Sequence, residues 1–319
     1  MSYNKILIIG TIPPPLGGVT IHTARLIDLC NKENINYSFY NLQKFNIISF
    51  FKALSKSKKS HLHSSNPLLL FLYVFLCRVL KINSIITIHG DIEGHNIFLS
   101  FVEKCAIKLC NIPIVLNQNS FNKAIKINLK TRMISSFIPP LKKEKLTLEN
   151  LNKIISFKEN NDELFCTNAY DFTFDKNGNE TYGILSLINY FNKFPKKKLI
   201  ISDPKGSYFL HTKKYNIIVE NNILFLTNNH SFFEVLKMSS CFIRNTSTDG
   251  DSLSIKEALY IGLPVLATDC VSRPKGVKLI NYNDISSLDM AICGLNIKEI
   301  NKNNRPVNGG LEILNLYKN

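Results

Sequence analysis

Two acidic residues bracket the start of a predicted helix in the C-terminal half of the chain. Asp249 lies in a polar loop, and Glu257 follows it after seven residues, inside the helix predicted for 253–261. Residues 250–252 stand where the loop enters that helix, and the backbone N–H groups of a first helical turn bind phosphate well. Carboxylates accept hydrogen bonds strongly from sugar hydroxyls. The pattern therefore predicts a site for a ligand that carries both phosphate and hydroxyl groups.

Two further loops follow short apolar runs in the N-terminal half. Gly17 and Gly18 close a Pro- and Gly-rich loop after the run 5–10, and His89 directly follows the run 84–88. In open parallel sheets, ligands bind beyond the carboxyl ends of the strands, where loops lead into helices. Gly17, Gly18 and His89 are therefore candidates for the same ligand site as the acidic pair.

Short β-branched runs alternate with amphipathic stretches along the whole chain, which is typical of parallel α/β domains. In the first half we predict strands at 5–10, 84–88, 112–116 and 132–138, and helices at 19–29, 98–109 and 121–127. In the second half we predict strands at 163–168, 198–202, 223–227, 241–244 and 264–268, and helices at 182–194, 232–238 and 253–261. The polar, Lys-rich stretch 142–161 indicates an interdomain connection. We therefore predict two doubly wound, Rossmann-like α/β domains, at 1–150 and 151–319, with a terminal helix that packs back on the first.

The composition is that of a globular protein. Of its 319 residues, 45% are hydrophobic and 20% are charged, which excludes disordered, collagen-like and disulfide-scaffold classes. Eight scattered cysteines without a CxxC pair indicate reduced thiols and no structural zinc site. The net charge of +15 comes mainly from lysine. We expect attraction to anionic membrane surfaces or phosphorylated ligands and no nucleic acid, because no Arg–aromatic patch or known nucleic-acid module is present.

The longest apolar run, 67–77, is too short to cross a bilayer, which needs about 20 residues. A run of this length favours a buried core helix. A helix that lies at a membrane interface is the alternative.

The acidic pair belongs to a longer pattern. Glu257 is followed by Ala-Leu and by Gly-x-Pro-Val at 262–265, with Arg273-Pro274 downstream. This pattern resembles the signature of family 4 of the retaining glycosyltransferases, which have the GT-B architecture of two domains facing across a cleft. The stretch 244–252 resembles the corresponding loop in a bacterial subgroup of this family whose members build surface polysaccharides. Residues 15–22, 88–90, 136–140 and Tyr182-Gly183 match other loops of the family, so the resemblance covers nearly the whole chain.

The resemblance implies roles for individual residues. Glu257 would hold the ribose hydroxyls of the nucleotide, and Asp249 would contact the donor sugar near its anomeric carbon. His89 would face the donor sugar or the acceptor from the other domain. The backbone of Gly250, Asp251 and Ser252 would bind the diphosphate or the sugar. Gly17 and Gly18 would let the N-terminal loop approach the phosphates.

The chain departs from the family pattern in two places. The first acid is usually Glu, and here it is Asp249. An Arg and a Lys that neutralise the diphosphate usually stand early in the C-terminal domain, where residues 168–176 show no clear pair. Lys176, or Arg244 and Arg273, would take over that role.

Simpler interpretations exist for several of these residues. Asp249-Gly-Asp251 has the DxD pattern of a metal site, but the flanking β/α alternation and the spacing of the acidic pair disfavour a metal. His89 is also compatible with an ordinary histidine at a strand end. His61 and His63, which alternate in a strand-like stretch, are expected to be structural. We expect no metal and no cofactor, with a nucleotide-diphospho-sugar as the donor substrate.

The leading hypothesis is a hexosyltransferase that retains the anomeric configuration. It would move a sugar from the donor, held by the C-terminal domain, to a lipid-linked oligosaccharide held by the N-terminal domain. The pathway would be bacterial surface polysaccharide biosynthesis, of O-antigen (lipopolysaccharide) or capsule. The protein would be cytoplasmic and peripheral at the inner face of the plasma membrane. The alternative is a catalytically impaired sugar-nucleotide-binding protein of the same fold that acts through partners, and a sugar-nucleotide epimerase is a third candidate.

Overall fold

Parallel strands of buried apolar residues form the centre of two units. The computed structural model describes residues 5–90, 92, 96–142, 144–158, 163–295 and 304–318. The first unit comprises residues 1–142 and 307–319, and the second comprises residues 143–306. The chain therefore passes through the second unit and returns to the first at its C-terminal helix.

The first unit is built on a parallel sheet. Its described strands are β1 (Ile6–Gly10), β2 (Tyr37–Asn41), β3 (Lys59–Ser64), β4 (Asn83–Ile88), β5 (Ile112–Val115) and β6 (Arg132–Met133), in the order β2-β1-β3-β4-β5-β6. Its described helices are α1 (Gly18–Lys32), α2 (Ile47–Ser55), α3 (Pro67–Val79), α4 (Ile97–Leu109), α5 (Gln118–Ala124) and the C-terminal Gly309–Lys318.

Strand β1 shows why the central strands are apolar without interruption. Ile6 and Ile8 pack into a core on one face of the sheet, and Leu7 and Ile9 pack into a second core on the other face. A parallel sheet covered on both faces has no solvent-facing side to alternate with. The C-terminal helix contributes Ile313 to the first of these cores. That helix is therefore part of the hydrophobic core of the first unit.

The second unit is built on another parallel sheet. Its described strands are β7 (Leu164–Asn168), β8 (Lys198–Ser202), β9 (Ile223–Leu226), β10 (Cys241–Arg244), β11 (Val265–Thr268) and β12 (Val277–Ile280), in the order β12-β11-β10-β7-β8-β9. Its described helices are α6 (Leu148–Phe157), α7 (Ile184–Asn192), α8 (Ser207–Lys214), α9 (Phe232–Met238), α10 (Leu253–Tyr260) and α11 (Ile285–Cys293); Gly309–Lys318 of the first unit is α12. The prediction of two parallel α/β domains is confirmed.

The two units divide between residues 142 and 143, at the start of the stretch predicted to connect the domains, but that stretch also contains helix α6, which belongs to the second unit. The Thr147 side chain caps the helix by accepting from the backbone N–H of Asn150. Ile154 is fully buried and packs with the core of the second sheet. The buried stripe is narrow, with Asn150 and Ile154 as its residues, and the lysines on either side of the helix obscure it in the sequence. Residues 143 and 159–161 of the predicted connection lie outside the described part of the chain.

Two predicted elements near the end of the first sheet are shorter or shifted. Only Arg132–Met133 of the strand predicted at 132–138 pairs with β5. The backbone carbonyls of residues 136–138 instead accept hydrogen bonds from α1 side chains and from the start of α12. The helix predicted at 121–127 begins at Gln118, because the Asn117 side chain caps it by accepting from Ser120 N–H.

Helix α3 has one buried face and one exposed face, although both are apolar. Leu70, Tyr73, Val74 and Cys77 are fully buried, whereas Leu68, Leu72, Phe75 and Val79 are exposed. The prediction of a core helix is therefore wrong for its outer face. Within the described segments, no helix has both the length and the apolar character needed to cross a bilayer.

Candidate functional site

The acidic loop lies at the carboxyl edge of the second sheet. Strand β10 pairs in parallel with β7 on one side and with β11 on the other. The strand ends Asn168, Arg244 and Thr268 therefore lie at the same edge. The loop 245–252 leaves that edge and enters α10, which is the position where parallel α/β sheets bind ligands.

Two arginines hold Asp249. Arg244, at the end of β10, donates from Nε to Asp249 Oδ2 at 3.1 Å and from Nη2 to Oδ1 at 3.0 Å. Arg273, in the loop after β11, donates from Nη1 to Oδ2 at 2.8 Å. The side chains of Arg244, Arg273 and Asp249 are 11%, 3% and 7% exposed, respectively. The cluster is thus a nearly buried group of two cations and one anion.

The two guanidinium groups are themselves anchored to the strand ends. Arg273 donates from Nε to the carbonyl of Thr268 at 2.7 Å. Arg244 donates from Nη1 to Asn168 Oδ1 at 3.3 Å and lies 5.1 Å from the centre of the Tyr182 ring. A planar guanidinium fixed in this way can hold a carboxylate in one geometry. The cluster therefore fixes the loop to β7, β10 and β11.

The charges of the cluster stabilise one another. Burial alone would raise the pKa of Asp249, but the charges and hydrogen bonds of Arg244 and Arg273 outweigh it and lower that pKa below 3.8. Burial would likewise lower the pKa of Arg244, but Asp249 raises it overall. At neutral pH Asp249 is therefore a carboxylate and Arg244 is protonated.

Asn245 fixes the beginning of the loop against the start of α7. Its Nδ2 donates to the carbonyl of Gly183 at 3.1 Å, and Ser247 N–H donates to the carbonyl of Thr181 at 3.0 Å. Gly183 has a φ of +56°, and a Cβ there would lie 2.4 Å from the Asn245 carbonyl oxygen. This position needs glycine for both its conformation and its space. That requirement is a physical reason for the Tyr182-Gly183 motif.

The start of α10 has no side-chain cap. Ser252 is the N-cap residue but makes no capping hydrogen bond to the first turn. No atom lies within 4 Å of the place that a Cβ on Gly250 would take. The N–H groups of an uncapped first turn carry partial positive charge and favour anions. This turn follows Asp249 directly, so it adjoins the arginine cluster.

In each of the other described helices of the second unit, a side-chain oxygen accepts a hydrogen bond from a backbone N–H of the first turn. The acceptor is a carboxylate for α7, α8 and α11 and a hydroxyl for α6 and α9. The capping residues are Glu180, Asp203, Asp284, Thr147 and Ser231. Among these described helices, α10 is therefore the one that offers uncapped amides at its start.

Buried charges lie in the first turns of α10 and just before its start. Asp251 and Lys256 form an ion pair with side chains 13% and 10% exposed. Glu257 is 4% exposed, so it is not a solvated surface glutamate. Sequence reasoning did not single out Lys256, because a lysine in the helix before the second acid carries no distinctive spacing. Its burial beside the acidic loop is visible only in the structure.

Lys176 and the arginines occupy different places. Lys176 is exposed in the turn between Phe174 and Glu180, which form an isolated antiparallel bridge. Arg244 and Arg273 lie at the strand edge and bind Asp249. Of the predicted substitutes for the missing basic pair, the structure places the two arginines at the acidic loop.

The glycine loop of the first unit lies at the start of α1. Gly17 is the N-cap residue, and its N–H donates to Thr20 Oγ1 at 3.1 Å. Thr20 Oγ1 lies 2.8 Å from the carbonyl of Pro15, to which it donates. No atom lies within 4 Å of a Cβ on Gly18. The backbone at Gly18 is therefore not obstructed by a side chain of its own or by a neighbour.

Four histidines gather at the carboxyl half of the first sheet. His61 and His63 lie on β3, His89 follows β4, and His22 lies on α1. The ring centroids of His22 and His63 are 5.2 Å apart, as are those of His22 and His89. Burial, followed by the neighbouring histidines, lowers the pKa of His61, His63 and His89 well below 6.5. These three rings are therefore neutral at neutral pH.

His61 has the structural contacts that its alternating pattern predicts. Its Nδ1 lies 2.6 Å from Tyr317 Oη on α12, and its Nε2 lies 2.8 Å from Thr87 Oγ1 on β4. His63 differs, since its buried Nε2 has no hydrogen-bond partner among the described residues. In the sequence, His89 is a separate candidate from His61 and His63. The strand order β3-β4 and the position of α1 bring these three residues close to His22.

The comparisons with known proteins give the fold. No protein-family model matches the chain. A protein of Methanocaldococcus jannaschii described as an uncharacterized glycosyltransferase is 31% identical over 106 residues, which is 32% of this chain. The match spans about a quarter, 25%, of that relative's length.

The solved structures match over nearly the whole chain. HepE of Anabaena, in complex with UDP and glucose, has a TM-score of 0.67 at 14% identity and covers 99% of this chain and 96% of its own. The UDP-GlcNAc 2-epimerase of Methanocaldococcus jannaschii has a TM-score of 0.66 at 11% identity, and the match covers 98% of this chain and 99% of the epimerase chain. Sucrose-phosphate synthase of Thermosynechococcus elongatus has a TM-score of 0.63 at 14% identity, covering 98% and 95%.

The chain has the GT-B fold. Its two parallel sheets are the two Rossmann-like halves of that fold. In the GT-B chain described here, the acidic loop and the arginine cluster belong to the C-terminal half, and the glycine loop and the histidines belong to the N-terminal half.

Proposed function

We propose that this protein is a retaining glycosyltransferase that uses a nucleotide-diphospho-sugar donor. The observation that carries the proposal is the uncapped start of α10 directly beside the Arg244–Asp249–Arg273 cluster. An anion bound there would meet partial positive charge from the helix and full positive charge from the arginines. The GT-B fold supports the assignment, as does the partial match to a relative described as a glycosyltransferase. HepE, which has the same fold, was crystallised with UDP-glucose.

We assign the donor diphosphate to the backbone of Gly250, Asp251 and Ser252. The hydrogen bonds of Arg244 and Arg273 are directed at Asp249, Asn168 and Thr268. We therefore assign these arginines to the donor site through their charge and through the ordering of the loop. This arrangement replaces the basic pair that the family has elsewhere.

Glu257 and Asp249 have distinct roles in the proposed reaction. Glu257 binds the ribose hydroxyls, since a carboxylate is a strong acceptor for them. Asp249 lies near the anomeric carbon of the transferred hexose. Gly17, Gly18 and His89 belong to the first unit, and their roles toward the phosphates and the sugar rest on the motif resemblance.

The reaction requires departure of the nucleoside diphosphate. The bond between the anomeric carbon and the phosphate oxygen breaks, and the electron pair leaves with the diphosphate. The acceptor hydroxyl attacks on the same face, forms the new glycosidic bond and gives its proton to a phosphate oxygen. The α10 amides and the arginine charges stabilise the negative charge that develops on the leaving group. No covalent nucleophile and no metal is needed for this step.

The acceptor is a lipid-linked oligosaccharide of bacterial surface polysaccharide biosynthesis in this proposal. Exposed apolar side chains support a membrane location. Leu68, Leu72, Phe75 and Val79 form a stripe at helical spacing on α3. On α4, which packs against α3, Ile97 is 92% exposed and Phe98 is 66% exposed.

Basic residues accompany this apolar surface. Lys81 follows α3, and Lys104 and Lys108 lie on α4, all three with exposed side chains. Apolar side chains with neighbouring lysines are typical of peripheral binding to anionic lipid. We therefore propose that the protein docks on the cytoplasmic face of the plasma membrane through α3 and α4.

A transfer assay tests the proposal. The protein is incubated with UDP-, GDP-, ADP- and CDP-hexoses and with lipid-linked oligosaccharides extracted from bacterial membranes, in the presence of EDTA. We expect one donor to be consumed and the product linkage, assigned by NMR, to keep the anomeric configuration of the donor. Donor binding without transfer to any acceptor would favour the impaired binding protein instead.

The likeness to UDP-GlcNAc 2-epimerase, over 98% of this chain, makes an epimerase the second candidate. An epimerase acts on the sugar nucleotide alone. Incubating each donor without acceptor and separating the sugar nucleotides distinguishes the two activities. We expect no new sugar nucleotide, and the appearance of an epimer would replace the transferase proposal.

A further inference from the structure

Three of the histidines in the first unit form a compact group of nitrogen ligands. His22, His63 and His89 each offer one ring nitrogen, and these nitrogens all lie within 4.8 Å of one another. The three side chains come from α1, β3 and the loop after β4, so the strand order brings them together. We propose that they bind a divalent transition-metal ion of the zinc class.

The spacing of two of the nitrogens already suits a metal. His89 Nε2 lies 3.4 Å from His63 Nδ1. Zinc binds imidazole nitrogen at about 2.0–2.1 Å in tetrahedral geometry, which separates two such ligands by about 3.4 Å. Small side-chain rotations of His22 complete the set, since its ligand atom lies within the same 4.8 Å group.

The second hydrogen bond of His22 has the form usual for metal ligands. Its Nδ1 lies 2.7 Å from the backbone carbonyl of Ser136. A carbonyl only accepts, so Nδ1 carries the proton and the lone pair of the neutral ring is on Nε2. Metal-ligating histidines almost always donate their other ring N–H to a carbonyl or carboxylate, which fixes the ring and its tautomer. This hydrogen bond thus makes Nε2 the ligand atom that His22 offers.

The described hydrogen bonds of His63 do not extend beyond the histidine group. Its Nδ1 shares a hydrogen bond with His89 Nε2, and its Nε2, in a residue that is 1% exposed, has no partner among the described residues. A metal bound at Nδ1 would replace the hydrogen bond between the two histidines with a bond from each of them to one ion. His61 packs on His63 with ring centroids 4.0 Å apart, but its own two nitrogens are bonded to Tyr317 and Thr87. His61 therefore positions His63 and does not ligate.

The donor set selects the class of metal. All three ligands are imidazoles, which suit Zn²⁺, Cu²⁺, Ni²⁺ and Fe²⁺, whereas Mg²⁺ and Ca²⁺ prefer oxygen. Three protein ligands leave a fourth position for water or a substrate hydroxyl. Because the proposed function assigns His89 to the transferred sugar, we expect bound zinc to inhibit transfer. That consequence rests on the proposed function, whereas metal binding does not.

Cobalt titration followed by visible absorption tests the site on the whole chain. The protein is stripped with a chelator and its exposed thiols, Cys270 and Cys293, are alkylated first, so that they cannot bind the metal. We expect one equivalent of Co²⁺ to bind with a tetrahedral spectrum lacking thiolate charge transfer, and one equivalent of Zn²⁺ to displace it. His22→Gln, His63→Gln and His89→Gln are each expected to weaken binding at least about tenfold.

His211→Gln is the matched control, because His211 lies on α8 of the second unit and stacks on Phe172. It is expected to leave metal affinity unchanged. Circular dichroism identifies the variants that fold, and His89→Gln provides a test even where a substitution of His63 unfolds the core. Unchanged affinity in folded His22 and His89 variants, or no saturable binding by the wild type, would overturn the metal site. Metal binding without any transfer activity would leave this site standing and remove the proposed function.

Discussion

Arg273 and Asp249 are joined by a hydrogen bond of 2.8 Å between Nη1 and Oδ2, although 24 positions separate them along the chain. The bond connects the loop after β11 to the loop after β10, and Arg244 completes the cluster from the end of β10. The start of α10 is thereby held beside two fixed cations. The assignment of a donor site depends on this arrangement.

Acid should weaken the contribution of Asp249 to stability. The folded-state pKa of Asp249 lies below its unfolded value of 3.8, so its stabilisation is present above that value and is lost as the pH falls through the folded pKa. We expect Asp249→Asn to cost about 3 kcal/mol near neutral pH, because two nearly buried guanidinium groups lose their counter-charge. The gap in Tm between wild type and variant should be constant at neutral pH and narrow below about pH 4.

Thermal unfolding followed by circular dichroism measures this gap, since the chain has no tryptophan to report by fluorescence. Asp269→Asn, which changes an exposed carboxylate, is the control and should alter the Tm little at any pH. A gap between wild type and Asp249→Asn that stays the same in strong acid would contradict the pairing.

Gly183→Ala should destabilise the protein more than the same substitution at Gly178, another glycine with a positive φ. An alanine Cβ at Gly183 would lie 2.4 Å from the Asn245 carbonyl, in addition to the strain of φ +56°. Gly178 has a φ of +79° and open space around it, so Gly178→Ala measures the strain alone. We expect losses of about 1 kcal/mol for Gly178→Ala and about 3 kcal/mol or more for Gly183→Ala in urea unfolding. Equal losses would show that the contact with Asn245 does not constrain this position.

Substitutions of the two acids should separate binding from turnover. Glu257→Ala removes the acceptor assigned to the ribose hydroxyls and should raise the donor Kd at least about tenfold, since a hydrogen bond to a charged group contributes about 1.5–3 kcal/mol. Asp249→Asn should mainly lower kcat, by about a hundredfold, because the arginine charges lose their fixed orientation. Calorimetry and initial rates measure the two effects.

Glu149→Ala, on the exposed first turn of α6, is the control for both acids and should change neither quantity. If Glu257→Ala and Asp249→Asn both keep wild-type kinetics, the assignment of the acidic loop fails.

Negative charges introduced on the exposed apolar side of α3 and α4 should abolish binding of the protein to anionic lipid. Phe75 and Phe98 are exposed on these helices, and a double substitution to Glu would add two negative charges to their apolar surface. We expect the wild type to sediment with vesicles that contain phosphatidylglycerol and the double variant to remain in the supernatant. Ile218→Glu, at a residue 70% exposed in the second unit, should sediment as the wild type does. Sedimentation of the double variant with these vesicles would exclude α3 and α4 as the docking surface.

The alternation of apolar runs in the sequence was sufficient to predict two parallel α/β domains, although it did not predict strands β2 and β12 or helices α2, α8 and α11. Strand β10 and helix α9 begin and end where the pattern predicts, because buried parallel strands and capped helices have strong local signals. Helix α6 was not predicted because its buried stripe is narrow and the lysines that flank it are typical of a connection. The outer face of α3 could not be predicted, since an apolar run does not reveal which of its sides is covered.

The site was predictable only in its local parts. The spacing of Asp249 and Glu257 marks one loop and one helix, and both can be seen in the sequence. The partners of Asp249 come from elsewhere, since Arg273 reaches it only through the β10–β11 pairing. The group of His22, His63 and His89 likewise depends on the strand order, which a single sequence does not contain.

A thermal-shift panel measures whether the protein binds a nucleotide-diphospho-sugar at the start of α10. Uridine, guanosine, adenosine and cytidine diphosphate sugars are each added to the wild type and to Glu257→Ala, with EDTA or with magnesium. At a hundredfold excess over Kd, the true donor should stabilise the wild type by about 2.7 kcal/mol, with or without magnesium, and stabilise Glu257→Ala less. No shift from any donor, or a shift of equal size in Glu257→Ala, would contradict the donor site at α10.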